Sequence, residues 1–308
     1  MKVAFCAPVA PPEKWLDALR RHLPQAEVSN WAPGAPSVDY AAVWHPPAQF
    51  FAEQTKIKAI FNLGAGVDGI LRQTALPENL MVVRLEDAGM ADQMFDYVLY
   101  AVLHYFRFMD FYGTHQAQSL WRERRRSPDR KDFVIGVMGL GKVGSVVAQG
   151  LAAQGFSVHG WTRSPCSMAG VQTHAGTDAL PGFLAALDVV VNVLPQTSET
   201  LHLLDANRLA QIKPGAAVIN VGRGATIDTN ALVAALDGEH LRGAFLDVFE
   251  TEPLPADSPL WRHPKVRITP HISARTLIDE SVAQIAEKIG RLERGQAISG
   301  IVDRTRGY

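Results

Sequence analysis

Only two cysteines occur in 308 residues, Cys6 and Cys166, and they stand far apart. That excludes a disulfide-built scaffold and the paired spacings of a zinc site, leaves room for one bridge at most, and fits a reducing compartment. No apolar run is long enough to cross a bilayer. The opening stretch MKVAFCAPVAPPEKW has a short apolar run broken by prolines, so it reads as neither signal peptide nor span. Excess charge is also lacking: 30 basic residues face 31 acidic ones, a net charge of −1. No global field therefore draws the chain to nucleic acid or to anionic lipid. The expectation is a cytoplasmic enzyme with no nucleic-acid partner, no membrane partner and no metal. A further absence is local. The turn WTRS, residues 161–164, carries an arginine where a carboxylate is expected.

What is present is an ordinary globular composition, 47% apolar and 20% charged, in a chain long enough for two cores. No internal repeat stands out. Short apolar runs alternate with helical stretches: KVAFCA (2–7), YAAVWH (40–45), IKAIFNLGAG (57–66) and MVVRL (81–85). From residue 133 the runs lengthen: FVIGVMGLG, FSVHGW, LDVVVNVLP, AAVINVGRG, GAFLDVF and VRITPHI. Near-continuous Val/Ile/Leu runs separated by helices predict strands buried on both faces of a parallel sheet, a doubly wound α/β fold.

Between the two series, residues 90–121 hold Met94, Val98, Val102 and Tyr105, and also Phe95, Leu99 and Phe106, at three- and four-residue steps. Apolar faces that wide predict one long helix buried on more than one side, the crossing between domains and a homodimer surface. WRERRRSPDRKD (121–132) follows, a basic but interrupted run with a single aromatic, read as a solvated linker.

VIGVMGLGKVG places Gly139, Gly141 and Gly144 in a G-x-G-x-x-G pattern between a strand and a helix. The first glycine permits the tight turn, the second lets a pyrophosphate approach the backbone, and the third lets helix and sheet pack closely. The helix start then offers unpaired N–H groups to phosphate. Dinucleotide binding is the expectation; a methyltransferase cofactor uses a similar turn. Arg163 lies nineteen residues beyond Gly144, where an acid would accept from a ribose 2′-hydroxyl. A guanidinium there grips a 2′-phosphate instead, Ser164 adds a hydroxyl, and Trp161 is placed against the adenine. The cofactor expected is NADPH, with NADH bound more weakly.

In open α/β sheets ligands lie beyond the carboxyl ends of the strands. Arg223, between Gly222 and Gly224, ends one apolar run and can hold an anionic substrate bidentately while polarising its carbonyl. His271 ends another and can exchange a proton with the oxygen formed on hydride transfer. GAFLDVFETEPLP supplies Asp247, Glu250 and Glu252, any of which can orient the histidine.

Together these motifs, with VWHPP, NLGAGVD, DAGM, SPLWRHP, TPHI and VDRTRGY, resemble the D-2-hydroxyacid dehydrogenase family along essentially the whole chain. The resemblance implies a Rossmann-type cofactor domain (97–272) inserted in a flavodoxin-like substrate domain (1–96 and 273–308), with the active site in their cleft. It implies that Arg223, Glu252 and His271 are the substrate arginine, the histidine's carboxylate partner and the acid/base. It brings Gly64, Ala65 and Gly66 to the substrate carboxylate, with Trp44, next to His45, crowding its side chain. Lys142, Val143, Leu194, Pro195, Val221, Gly222, Asp247 and Ser273 join the cofactor contacts. The implied reaction is NADPH-dependent reduction of a small 2-oxo acid such as glyoxylate or hydroxypyruvate.

Overall fold

Two parallel sheets organise the chain, each within its own contact unit of a computed structural model. The structure describes residues 1–8, 11–124 and 128–307. Part of the expected linker (125–127) and the terminal Tyr308 lie outside the described residues. The first unit comprises Met1–Met90 and Thr276–Tyr308, the second Ala91–Arg275. The expected break at residues 96 and 97 falls inside the helix Met90–Phe106, most of which packs with the second unit.

In the first unit, strands β1 (Lys2–Cys6), β2 (Glu27–Asn30), β3 (Tyr40–Val43), β4 (Ala59–Asn62) and β5 (Met81–Arg84) pair in the order β2-β1-β3-β4-β5, all parallel. This is the flavodoxin-like order. Every residue of β3 and β4 is buried, which is why both read as apolar runs, with the buried amide of Asn62 closing β4. The edge strand β2, EVSN, is largely exposed and carries no such run. The returning helix Ile278–Glu293 buries Val282, Ile285 and Ile289 on one face. Its Lys288 is also buried, satisfied by the Glu86 carboxylate at 3.0 Å.

The second unit holds β6 (Val134–Met138), β7 (Ser157–Thr162), β8 (Gln172–Ala175), β9 (Val189–Asn192), β10 (Ala216–Asn220), β11 (Leu241–Leu246) and β12 (Val266–Ile268). Their order, β12-β11-β10-β9-β6-β7-β8, is the Rossmann arrangement extended by one strand. Strand order reverses between β6 and β9, so loops after these two strands diverge to open a binding crevice.

The single helix expected over 90–121 is two, Met90–Phe106 and Met109–Ala117, separated at Phe108 with φ 57°. The guanidinium of Arg242, on β11, grips both Asp110 carboxylate oxygens at 2.7 and 2.6 Å and lies over the rings of Tyr105 and Phe108. That clamp ties the second helix to the sheet and enforces the break. Val98, Ala101, Val102 and Tyr105 are buried in the first helix, whereas Tyr100, Met109, Leu120 and Trp121 stay exposed. Among the described residues no helix is long and apolar enough to cross a membrane.

Candidate active site

The glycine-rich turn follows β6. Gly139 takes φ 97°, a conformation that favours glycine, and its N–H donates to the Trp161 carbonyl. A Cβ on Gly144 would lie 1.9 Å from the Gly139 carbonyl oxygen, so the helix Lys142–Ala153 starts where only glycine fits. A Cβ on Gly141 would meet nothing within 4 Å. The turn is therefore tight beneath and open above Gly141, Lys142 and the half-exposed Val143, the shape a pyrophosphate needs at a helix N-terminus.

Arg163 and Ser164 sit exposed on the turn after β7, and Arg163 Nη1 lies 3.4 Å from Glu199 Oε2. Trp161 departs from expectation. Its indole is in the core with 6% of the residue exposed, and its N–H donates to the Gly176 carbonyl. An indole packed this way supports the turn from beneath and offers no open face to an adenine.

Leu194 and Pro195 follow β9, and Val221 and Gly222 follow β10. A Cβ on Gly222 would come within 2.6 Å of the Leu194 carbonyl, so the two loops press together backbone to backbone. Arg223 comes next, half-buried, its Nη1 donating to the Gly222 carbonyl at 2.8 Å. Gly224 packs against the Phe249 backbone, where a Cβ would sit 1.9 Å from the carbonyl carbon. That contact carries the arginine turn to the loop holding the acids.

Of the three acids, Glu252 meets the histidine: its Oε2 lies 2.7 Å from His271 Nδ1, and its Oε1 accepts from the Phe249 N–H at 2.9 Å. Burial acts to raise the Glu252 carboxyl. Bonds from His271 and the Phe249 N–H, with the charges of His271 and Arg223, prevail and hold it below the usual carboxylate range. An ionised carboxylate only accepts, so Nδ1 carries a hydrogen and Nε2 is left for proton exchange. Glu250 faces elsewhere, accepting from the Thr229 N–H and hydroxyl and lying 3.4 Å from His202.

Asp247, expected at the cofactor, is wholly buried. Its carboxylate accepts from the Thr269 hydroxyl and from the Ile272 and Ser273 N–H groups at 2.6–2.8 Å, and its carbonyl accepts from the His271 N–H. The residue thus shapes the 269–273 loop, in which His271 takes φ 53°; Ser273 is buried within it. Neither offers an open contact. Sequence reasoning passed over the half-buried Thr269 and the buried Asn192, Asn220 and Thr226, because their role appears only in the fold.

In the first unit, Asn62 Nδ2 donates to the Gly64 and Gly66 carbonyls at 3.1 and 2.9 Å, leaving Ala65 and Gly66 half-exposed. The Trp44 ring lies against Gly64, where a Cβ would approach it to 2.6 Å, and stacks edge-on with His45. Among the described residues no group of three or more His, Cys, Asp or Glu can hold a metal, and Cys6 and Cys166 are free thiols.

Residues 99–273 match the family described as D-isomer specific 2-hydroxyacid dehydrogenase, NAD binding domain. A glyoxylate/hydroxypyruvate reductase A of Citrobacter koseri is 44% identical over 314 residues, with all of both chains covered. The crystal structure of a D-isomer specific 2-hydroxyacid dehydrogenase from Xanthobacter autotrophicus Py2, in complex with NADPH and MES, is 39% identical, with TM-score 0.95 and 100% and 99% of the two chains covered. The NADPH-dependent glyoxylate/hydroxypyruvate reductase of Sinorhizobium meliloti, in complex with NADP and sulfate, is 31% identical, with TM-score 0.93 and the same coverage. With the phosphate turn, the arginine and the histidine–glutamate pair in place, the chain belongs to the D-2-hydroxyacid dehydrogenase family.

Proposed function

We propose that this chain is an NADPH-dependent reductase of small 2-oxo acids, glyoxylate and hydroxypyruvate among them. The observation that carries the reading is the His271–Glu252 pair at 2.7 Å, within reach of the Arg223 charge. The names of the relatives, glyoxylate/hydroxypyruvate reductases, support the same reading. When bound, the reduced nicotinamide supplies the hydride. Arg223 holds the substrate carboxylate and polarises the carbonyl oxygen, so negative charge develops beside a fixed cation. His271 passes the proton on Nε2 to that oxygen, and the ionised Glu252 keeps the ring oriented through Nδ1. Gly64, Ala65, Gly66 and Trp44 stand as proposed substrate contacts on the strength of the family resemblance.

The assay is NADPH oxidation with a panel of 2-oxo acids. Tight NADPH binding without turnover on any of them would mark a nucleotide-responsive binding protein instead. Arg163→Asp should weaken NADPH about ten- to a hundredfold, the loss of one charge-assisted bond, and spare or improve NADH. An unchanged cofactor preference rules out Arg163 as the 2′-phosphate reader. Glu252→Gln removes the carboxylate held ionised beside the ring, so the usable pH range should narrow while binding stays close to normal. A pH–rate profile matching the parent's, or the same change produced by Glu250→Gln instead, would show that Glu252 is the wrong acid.

We also propose a homodimer formed through the exposed Tyr100, Met109, Leu120 and Trp121. Light scattering of the whole protein measures it, and a monomer at micromolar concentration would end the proposal.

A further inference from the structure

A buried polar chain runs behind the arginine turn, and nothing in the reaction as described uses it. Asn192, Asn220 and Thr226 are 0%, 1% and 1% exposed, in a region otherwise packed with valine, leucine and isoleucine. Asn192 Nδ2 donates to Asn220 Oδ1 at 2.9 Å and to Thr226 Oγ1 at 2.5 Å. Thr226 Oγ1 donates in turn to the Arg223 carbonyl at 2.6 Å, and Asn220 Nδ2 donates to the same oxygen at 3.2 Å. At its other end, Asn192 Oδ1 accepts from the Leu194 N–H, and Asn220 Oδ1 accepts from the Gly222 N–H. Three uncharged polar side chains buried in an apolar layer are tolerated only when fully bonded, and apolar residues of the same size would fill the space without that demand. Two of these bonds, from Thr226 Oγ1 and Asn220 Nδ2, meet on one atom, the carbonyl oxygen of Arg223.

We infer that Thr226, held by Asn192 and Asn220, is a positioning residue that fixes the backbone of Arg223 and so aims its guanidinium at the substrate. The short 3₁₀ turn Gly224–Thr226 brings the hydroxyl back beneath the arginine. The residue touches no reacting atom; it acts through Arg223. A side chain as long as arginine's magnifies a small rotation at its Cα into a large shift of the guanidinium, and misplacing a group that must meet a carboxylate and a carbonyl together is penalised steeply. The inference rests on the role given to Arg223 above.

The test compares the parent with Thr226→Val, Thr226→Ser, Arg223→Ala and the Thr226→Val/Arg223→Ala double variant. Steady-state kinetics with glyoxylate would be read beside NADPH affinity from fluorescence titration. Thr226→Val should lower kcat/KM about ten- to a hundredfold, with a raised KM for the oxo acid and unchanged NADPH affinity. Thr226→Ser, which keeps the hydroxyl, should restore most of the activity. In the Arg223→Ala background Thr226→Val should add almost nothing, because the group it aims is gone. Where valine upsets the packing, Thr226→Ala removes the same hydroxyl and must show the same pattern. Parent-like kinetics in Thr226→Val, an equal loss in Thr226→Ser, or an undiminished further loss without the arginine would each overturn the inference. Parent-like kinetics in Arg223→Ala would remove the reading of Arg223 itself, and this inference with it.

Discussion

Loss of His271 is expected to bring turnover down by about 10²- to 10⁴-fold, the contribution of a placed general acid. In His271→Ala the oxygen that gains negative charge has only solvent to draw a proton from. Neither nearby glutamate stands in for the ring: Glu252 is held below the usual carboxylate range, and Glu250 is spent on Thr229 and His202. NADPH affinity should survive, since the phosphate turn and Arg163 belong to other loops. Single-turnover measurement of NADPH oxidation separates the chemical step from binding. A His271→Ala enzyme with near-parent turnover would defeat the assignment of the proton donor.

Arg223→Ala is the second large effect. Removing an electrostatic stabiliser of developing oxyanion charge lowers kcat by about 10²- to 10³-fold, and losing the carboxylate clamp raises KM as well. Arg223→Lys is the informative companion. It keeps the charge but not the planar fork, so it should recover part of the rate while KM remains high. Equal kinetics in the lysine variant and the parent would show that charge alone suffices; parent-like kinetics in the alanine variant would displace Arg223 from the site altogether.

Much of this architecture was legible in the residues, and the reason is burial. Strands covered on both faces, such as YAAV and the three valines that open Val189–Asn192, have no solvated polar side to show and so announce a parallel sheet. The edge strands Glu27–Asn30 and Gln172–Ala175 were illegible for the converse reason, being partly solvated and of mixed polarity. The helix break at Phe108 depends on Arg242 finding Asp110 from 132 residues away, which no local periodicity reports. Arg223 and His271 drew attention as candidates because they end apolar runs. The choice among Asp247, Glu250 and Glu252 could not be made from spacing; it is made by which carboxylate the loop turns toward the ring. Trp161 misled because an indole beside a phosphate turn suits either a ligand wall or a core, and here the Gly176 carbonyl claims its N–H.

The two halves of the nucleotide turn differ in how freely they can be rewritten. At Gly144 a single added methyl group collides with main chain, whereas residues 163 and 164 project into water. With Arg163 as the proposed reader of the 2′-phosphate, anchoring and discrimination would lie in separate, unequally constrained places. A lineage carrying this scaffold could then trade one coenzyme for another by drift at a surface bend, without first surviving a damaged interior.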